Sequence, residues 1–228
     1  MGIIYLTDEK LFPNPLKADK SGLLAIGGTL SKSRLIEAYS MGIFPWFSLG
    51  EPPMWWSPDP RFLLFPSNLH ISKRMKRILN KEEFRVTVNR DFKSVIEKCS
   101  LRGRRGEETW ITEEMKNAYT ELHKEGFAHS VEVWLKGSLV GGLYGVSFGK
   151  MFFGESMFSE VSNSSKYGFI KLTQHLGSRN FLFIDCQVET KHLGSLGAKG
   201  VKREYFIDML GNGLAENGLT KTEFPKVL

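Results

Sequence analysis

Long apolar runs are missing from this 228-residue chain, and with them any stretch of the ~20 residues that a membrane-spanning helix needs. The amino terminus, Met1-Gly2-Ile3-Ile4-Tyr5-Leu6-Thr7-Asp8, has no basic segment leading into an apolar one, so neither export nor anchoring is expected. Cysteine is scarce. Cys99 and Cys186 are isolated thiols, too few for a disulfide framework or paired zinc ligands, and they suit a reducing cytoplasm. A nucleotide loop is lacking as well: Gly22-Leu23-Leu24-Ala25-Ile26-Gly27-Gly28 is glycine-rich, but no Lys-Ser or Lys-Thr follows, and it reads as a tight structural turn. No internal repeat or low-complexity tract is visible. What is left is an ordinary globular chain, expected in the cytoplasm.

Hydrophobic residues make up 41% of the sequence, enough to fill a sizeable core, while a net charge of +6 and a pI near 9.2 favour a polyanionic partner such as nucleic acid. Proline is unevenly spread. Five of the nine fall between 45 and 60, which excludes regular helix there and makes a rigid junction. We therefore expect a small domain over residues 1–60 and a larger one over 61–228. Trp46, Trp55 and Trp56 sit in that junction and either hold the two domains together or line a pocket between them.

Beyond the junction the periodicity alternates between helix and strand. Ser31 caps a helix ended by Gly42, and Ser72 caps another in which Met75, Ile78 and Leu79 face inward while Lys73, Arg77 and Lys81 recur every four residues. These three cations form a basic ridge fit for phosphate contacts, or else a plain solvated face. Arg102, Arg104 and Arg105 lie in a second basic stretch. Residues 84–88 alternate as a strand, 92–99 follow helical spacing, and Thr112 caps a third helix ended by Gly126. Strands over 128–134, 138–147 and 151–155 form an antiparallel meander. A helix from Asn163 or Ser164, an apolar strand over 181–187 and helical pieces around 192–196 and 203–210 close the chain, with frayed residues from Gly211. From Phe84 onward this order is that of an acetyltransferase-like α/β (α+β) core with a mixed sheet.

The strand over 181–187 carries the sharpest chemical signal. Four apolar residues run into Asp185, Cys186 and Gln187, so strand alternation puts Asp185 and Gln187 on one face and Cys186 on the other. Carboxyl ends of buried strands are where α/β sites sit. The plain alternative is a capping Asp185 and a solvated Gln187. Likewise Gly154-Glu155-Ser156-Met157-Phe158-Ser159 ends a strand beside an acid, and Trp46, Phe152, Met157 and Met151 either line an apolar pocket or fill core. His192 and His129 read as packed, structural histidines.

Taken in order, Ala38-Tyr39, Gly42-Ile43-Phe44-Pro45-Trp46-Phe47, Trp55-Trp56-Ser57-Pro58-Asp59-Pro60-Arg61, Thr109-Trp110-Ile111-Thr112, Val140-Gly141-Gly142-Leu143-Tyr144-Gly145-Val146, Gly154 to Ser159, Ile184-Asp185-Cys186-Gln187 and Ser195-Leu196-Gly197-Ala198 closely resemble the leucyl/phenylalanyl-tRNA–protein transferase family. The resemblance runs from about Leu11 to Phe206. Thr29 and Tyr167-Gly168-Phe169 depart from the family pattern, outside the site residues. The resemblance implies transfer of Leu or Phe, and less readily Met, from aminoacyl-tRNA to the amino-terminal Arg or Lys of an acceptor protein, marking it for degradation. It also implies that Asp185 and Gln187 are catalytic. Glu155, as an acid at a strand end, is a further catalytic candidate that either positions the substrate by hydrogen bonds or, like Asp185, attracts the basic acceptor residue.

The chemistry fits the residues. An aminoacyl ester is already activated, so no cofactor, ATP, metal or covalent enzyme intermediate is needed, and the sequence offers no motif for one. The attacking α-amine has an unperturbed pKa of ~7.7–8.0, so the enzyme has to orient it and handle one proton. A Gln amide is too weak a base for that, which gives Gln187 an aligning role; Asp185 either orients or acts as base. A monomer with no membrane partner is expected. Two competitors are an acyl-CoA acetyltransferase, which would want a glycine-rich turn where residues 159–166 have none, and a noncatalytic RNA-binding module, which leaves the polar strand end unexplained.

Overall fold

Short polar residues set the helix starts. In the computed structural model, which describes residues 4–7, 11–101 and 110–228, Ser31, Ser72, Asp91 and Thr112 each accept a hydrogen bond from the backbone N–H three residues on. Each satisfies a donor that the first helical turn leaves unpaired. The helices so opened are α1 (Lys32–Ser40), α2 (Lys73–Asn80), α3 (Phe92–Ser100) and α4 (Glu113–Lys124). The basic stretch at Arg102, Arg104 and Arg105 lies outside the described residues.

Two sheets divide the strands. The first holds β1 (Ile4–Leu6), β2 (Leu23–Gly27), β3 (Phe44–Pro45) and β4 (Met54–Trp56) in the order β1-β2-β4-β3, with β1 and β2 parallel. Residues 22–28 are therefore a paired strand and not a tight turn. Leu24 and Ala25 are buried between neighbours on both sides, and the turning is done by Gly22 and Gly27 at its ends, both at φ 95°.

The second sheet contains β5 (Arg61–Leu64), β6 (Arg85–Val88), β7 (Ala128–Leu135), β8 (Ser138–Phe148), β9 (Met151–Ser159), β10 (Phe183–Asp185) and β11 (Lys199–Val201), in the order β11-β5-β10-β9-β8-β7-β6. All neighbours are antiparallel except β9 and β10. The expected meander is present, but its third strand continues four residues past Glu155. The mixed α/β class agrees with the element order read from the sequence; β5 and β11 were not foreseen.

Helices cover both faces. Phe92 and Val95 of α3, Tyr119 of α4, Leu35 of α1 and Phe206 of α7 (Arg203–Asn217) meet Tyr144 and Phe153 on one face. Met75 of α2 and Leu172 of α5 (Ser164–Ser178) meet Leu143 and Phe152 on the other. The first cluster also holds Leu24, Ala25 and Trp55 of the small sheet, so apolar burial runs across the proline-rich junction. A short helix, α6 (Lys191–Gly194), follows β10. The carboxyl end is not frayed at Gly211: α7 continues to Asn217, and Gly213 is there because a Cβ would stand 2.8 Å from Leu182 and 3.0 Å from the Met151 sulfur. The last residues return to the sheet, where Val88 N–H donates to Lys226 O and Leu228 N–H to Val86 O, both at 3.1 Å. Phe224 packs against His129 and Phe152.

One irregularity aims a functional side chain. Opposite β8, Gly145 faces Gly154 but Tyr144 faces Ser156, which leaves Glu155 as the extra residue of a bulge. Gly145 is required beside it, since a Cβ there would fall 2.3 Å from Phe153 O and 2.7 Å from the Phe152 ring.

Candidate active site

The parallel pairing of β9 and β10 ends at Phe153 and Asp185. Beyond that point β9 stays with β8, whereas the chain after β10 turns away through Gln187 at φ 63°. Between the diverging strands lies a cavity of about 570 Å³, lined by Trp46, Trp110, Phe152, Glu155, Met157, Phe169, Ile184, Cys186, Gln187 and His192, among others. Its walls are mainly apolar, with a few convergent polar groups, the usual make-up of a small-molecule site.

Glu155 is the centre of those polar groups. Tyr39 of α1 donates to its Oε1 at 2.7 Å, Tyr119 of α4 to its Oε2 at 2.9 Å, and Gln187 Nε2 to Oε1 at 2.9 Å. The two phenolic oxygens are themselves 2.5 Å apart. Glu155 keeps some surface toward the cavity, but protein surrounds the carboxyl closely. Burial pushes its pKa up to about 7, opposed by the two phenol hydrogen bonds, with the Asp185 charge adding to the rise and Arg61 countering it. All three nearby tyrosines, Tyr39, Tyr119 and Tyr144, have their pKa raised by burial and then by the Glu155 charge.

Asp185 occupies a different setting from the one its spacing suggests. It is fully buried and clasped by Arg61 of β5, Nε to Oδ1 at 2.8 Å and Nη2 to Oδ2 at 2.5 Å. Arg61 also donates to Gly42 O at 3.1 Å and lies between the Phe44 and Phe206 rings. Asp185 Oδ1 in turn accepts the Gln187 backbone N–H at 2.9 Å. A carboxylate so engaged anchors the turn that presents Gln187. Asp185 and Gln187 thus stand close together, as the sequence indicates, but through a turn in place of continued strand alternation. Cys186 packs with the second core cluster, and burial pushes its thiol pKa up, so it is not an activated nucleophile.

Of the acyl-pocket residues expected from sequence, Trp46, Phe152 and Met157 line the cavity. Met151 does not. It is fully buried, faces the opposite side of β9 from Phe152 and packs beside Gly213 of α7. Lys73 and Arg77 are exposed on α2, and Lys81 caps its end, within 3.7 Å of Glu83. None of the three lines the cavity; the segment leading into α2 is tied to the loop after α6 by His70 N–H to Leu196 O at 2.9 Å.

Sequence reasoning left Tyr39, Tyr119, Arg61 and Trp110 without roles. Tyr39, Arg61 and Trp110 lie within the motif segments that carry the family resemblance, so position in those motifs was the available signal. His192 lines the cavity with its pKa lowered by burial and by Lys166, and its Nε2 is buried without a hydrogen-bond partner among the described residues. His129 is structural, buried against Phe224 and paired with Asn89. Among the described residues no group of three His, Cys, Asp or Glu side chains is placed to hold a metal ion, and no helix is long and apolar enough to cross a membrane.

Comparison with known proteins identifies the family. The family described as leucyl/phenylalanyl-tRNA protein transferase matches residues 63–211, and the family of its N-terminal domain matches residues 28–59. A leucyl/phenylalanyl-tRNA–protein transferase of Pseudomonas fluorescens (strain Pf0-1) is 55% identical over 89% of this chain and 91% of its own. One from Desulfatibacillum aliphaticivorans is 52% identical over 92% and 91%. Among solved structures, the L-PGS of Bacillus licheniformis is similar at a TM-score of 0.41 and 12% identity, over 72% of this chain and 54% of that one. With half of its residues shared with such relatives over nine-tenths of their length, the chain belongs to the leucyl/phenylalanyl-tRNA–protein transferase family.

Proposed function

We propose that this chain moves a leucyl or phenylalanyl group, and less readily a methionyl group, from aminoacyl-tRNA to the amino-terminal Arg or Lys of an acceptor protein in the cytoplasm, marking that protein for degradation. The observation that carries the reading is the Gln187–Glu155 hydrogen bond on the wall of an apolar cavity large enough for a Leu or Phe side chain.

Phe152, Met157 and Phe169 accept the acyl side chain, and the flexible thioether of Met157 adapts to both branched and aromatic groups. Trp46, 45% exposed, and Trp110 offer flat faces at the same cavity for the terminal base of the tRNA. Lys73, Arg77 and Lys81 span about 12 Å along α2 and meet backbone phosphates of the acceptor arm. With its Nε2 committed to Glu155, Gln187 turns its amide oxygen to the attacking amine and fixes the approach of nitrogen to ester carbon. Asp185 holds Gln187 in place, and because Arg61 neutralises it, Glu155 is the acid left facing the cavity to draw in a cationic acceptor residue. The amine attacks the ester carbonyl, the bond to the ribose oxygen breaks, and that oxygen leaves with a proton from the nitrogen.

The test is direct. Purified protein incubated with radiolabelled leucyl-tRNA should label a peptide beginning with Arg and leave the same peptide unlabelled once its amino terminus is acetylated. Gln187→Ala should lower the single-turnover rate strongly at unchanged tRNA affinity. No transfer to the Arg peptide, or equal labelling of the acetylated one, would overturn the reading.

A further inference from the structure

Acyl transfer from an ester to an ammonium group releases one proton, and the oxygen contacts around Glu155 indicate where it goes. Three groups make three short contacts: Tyr39 to Glu155 at 2.7 Å, Tyr119 to Glu155 at 2.9 Å, and Tyr39 to Tyr119 at 2.5 Å. Each contact needs a proton between its oxygens. The two phenols supply two. If Glu155 is ionised, both phenolic protons point to the carboxylate and the Tyr39–Tyr119 contact sets two oxygens face to face with no hydrogen between them. If Glu155 carries a proton, its O–H donates to Tyr119, Tyr119 donates to Tyr39, and Tyr39 donates to Oε1. The ring then closes with every donor and acceptor used.

We propose that Glu155, Tyr39 and Tyr119 form a proton-accepting ring that takes the proton of the acceptor's α-ammonium group and closes when it does so. The inference rests on the aminoacyl-transfer reading and assigns the base within it. Glu155 Oε receives the first ammonium proton; the neutral amine then attacks, its second proton leaves with the ribose oxygen, and Glu155 returns its proton to water after the product departs. Glu155 is the catalytic residue here, since it lines the cavity, and Tyr39 and Tyr119 are positioning residues behind it.

The surroundings suit the task. From beyond β10, Gln187 Nε2 donates to Oε1, which steadies the carboxyl in both protonation states. Asp185 on β10 is neutralised by Arg61 on β5, so neither adds a competing open charge. From β8, the Tyr144 hydroxyl is buried and has no hydrogen-bond partner among the described residues, and Cys99 of α3 lies near it. A carboxyl with its pKa at about 7 is matched to an amine that titrates at ~7.7–8.0. Tyr39 comes from α1, so the residues before the junction complete the base.

The experiment follows the carboxylic C=O stretch by infrared spectroscopy of the ligand-free protein against pH, in wild type, Glu155→Gln, Tyr39→Phe, Tyr119→Phe and the double Tyr variant. A band that titrates near pH 7 and vanishes in Glu155→Gln is expected. Hydrogen bonds to a charge are about twice as strong as neutral ones. One Phe removes one charge-assisted bond from the ionised form and two neutral bonds from the closed ring, so each single variant should leave the midpoint almost unmoved. Both together remove two charge-assisted bonds against three neutral ones, so the double variant should rise by roughly 0.7 unit, well beyond the sum of the singles. Single-turnover transfer at saturating substrates should fall at least ~100-fold in Glu155→Gln. Single variants that each raise the midpoint and add up to the double would show two independent donors and overturn the ring. Wild-type transfer by Glu155→Gln would overturn the base assignment with acyl transfer intact. A wild-type protein without transfer activity would instead remove the functional reading, whatever the infrared band does.

Discussion

Asp185→Asn is the substitution whose outcome the structure changes most. Spacing alone suggests an alteration of chemistry with little effect on the fold. In the structure the wild-type carboxylate faces a guanidinium with no exposure at all, held at 2.8 and 2.5 Å, and that guanidinium is further enclosed by Gly42 O and two aromatic rings. Asn keeps the shape but turns an NH₂ toward one of two N–H donors, leaving a buried cation half-paired. Removing one partner of a buried pair costs about 3–5 kcal/mol. The amide oxygen can still accept from one donor, which sets the expectation at about 3 kcal/mol. In a chain of this length that corresponds to a fall in Tm of roughly 6–12 °C. Urea unfolding followed by tryptophan fluorescence, with a parallel thermal melt, measures it. Adding Arg61→Met should recover part of the loss, because no buried cation then remains. An Asp185→Asn protein within about 0.5 kcal/mol of wild type, the range of surface changes, would refute the argument that this carboxylate holds a buried charge.

Other expectations concern different parts of the molecule. Since Glu155 titrates at about 7 when folded, above an ordinary carboxyl, the folded state binds its proton more tightly; the associated stability is complete below about pH 4.5 and is lost as pH rises through 7. The stability difference between wild type and Glu155→Gln should therefore change across that window by about 3 kcal/mol, and a pH-independent difference would contradict it. Met157→Ala, at a half-buried cavity position, should weaken use of leucyl- and phenylalanyl-tRNA by roughly 1–3 kcal/mol in kcat/KM with little loss of stability; a large drop in Tm would mark Met157 as core. Replacing Lys73, Arg77 and Lys81 together by Ala should weaken tRNA binding and flatten its salt dependence by roughly two units while keeping the Leu-to-Phe preference. An unchanged salt slope in filter binding would make the ridge a solvated face. Gly145→Ala should raise KM for aminoacyl-tRNA and destabilise by about 1–3 kcal/mol, as its methyl displaces the Phe152 ring; unaltered KM and melting would count against the close fit.

Local rules made some of this legible in the sequence. Ser31, Ser72 and Thr112 mark helix starts because a cap bonds three residues away, and the apolar run before Asp185 marks a strand because both of its faces are buried. The partners of Asp185 and Glu155 could not be found that way. Arg61 lies 124 residues from Asp185 and Tyr39 lies 116 from Glu155, and no periodicity links positions so distant. Residues 22–28 misled because glycines at both ends of a short strand look like a turn, and β5 was hidden because it follows directly on the proline cluster. Met151 was misplaced because alternation puts neighbours on opposite faces, so Phe152 and Met151 could not both reach one cavity. The residues from Gly211 read as frayed, although the helix continues through them and Gly213 serves close packing.

The hydrogen bonds from Val88 and Leu228 that bring the last residues onto β6 bear on how the protein behaves in a crowded solution. Open strand edges invite pairing with another chain. On the β6 flank that position is already taken by residues of the same polypeptide, and on the other flank β11 is three residues long and carries exposed Lys199. Strand-by-strand addition of a second copy to this seven-stranded sheet is thereby disfavoured on both flanks. The protection on the β6 side hangs on a few backbone bonds, so brief detachment of residues 226–228, far less than global unfolding, is enough to expose a flank competent for aggregation.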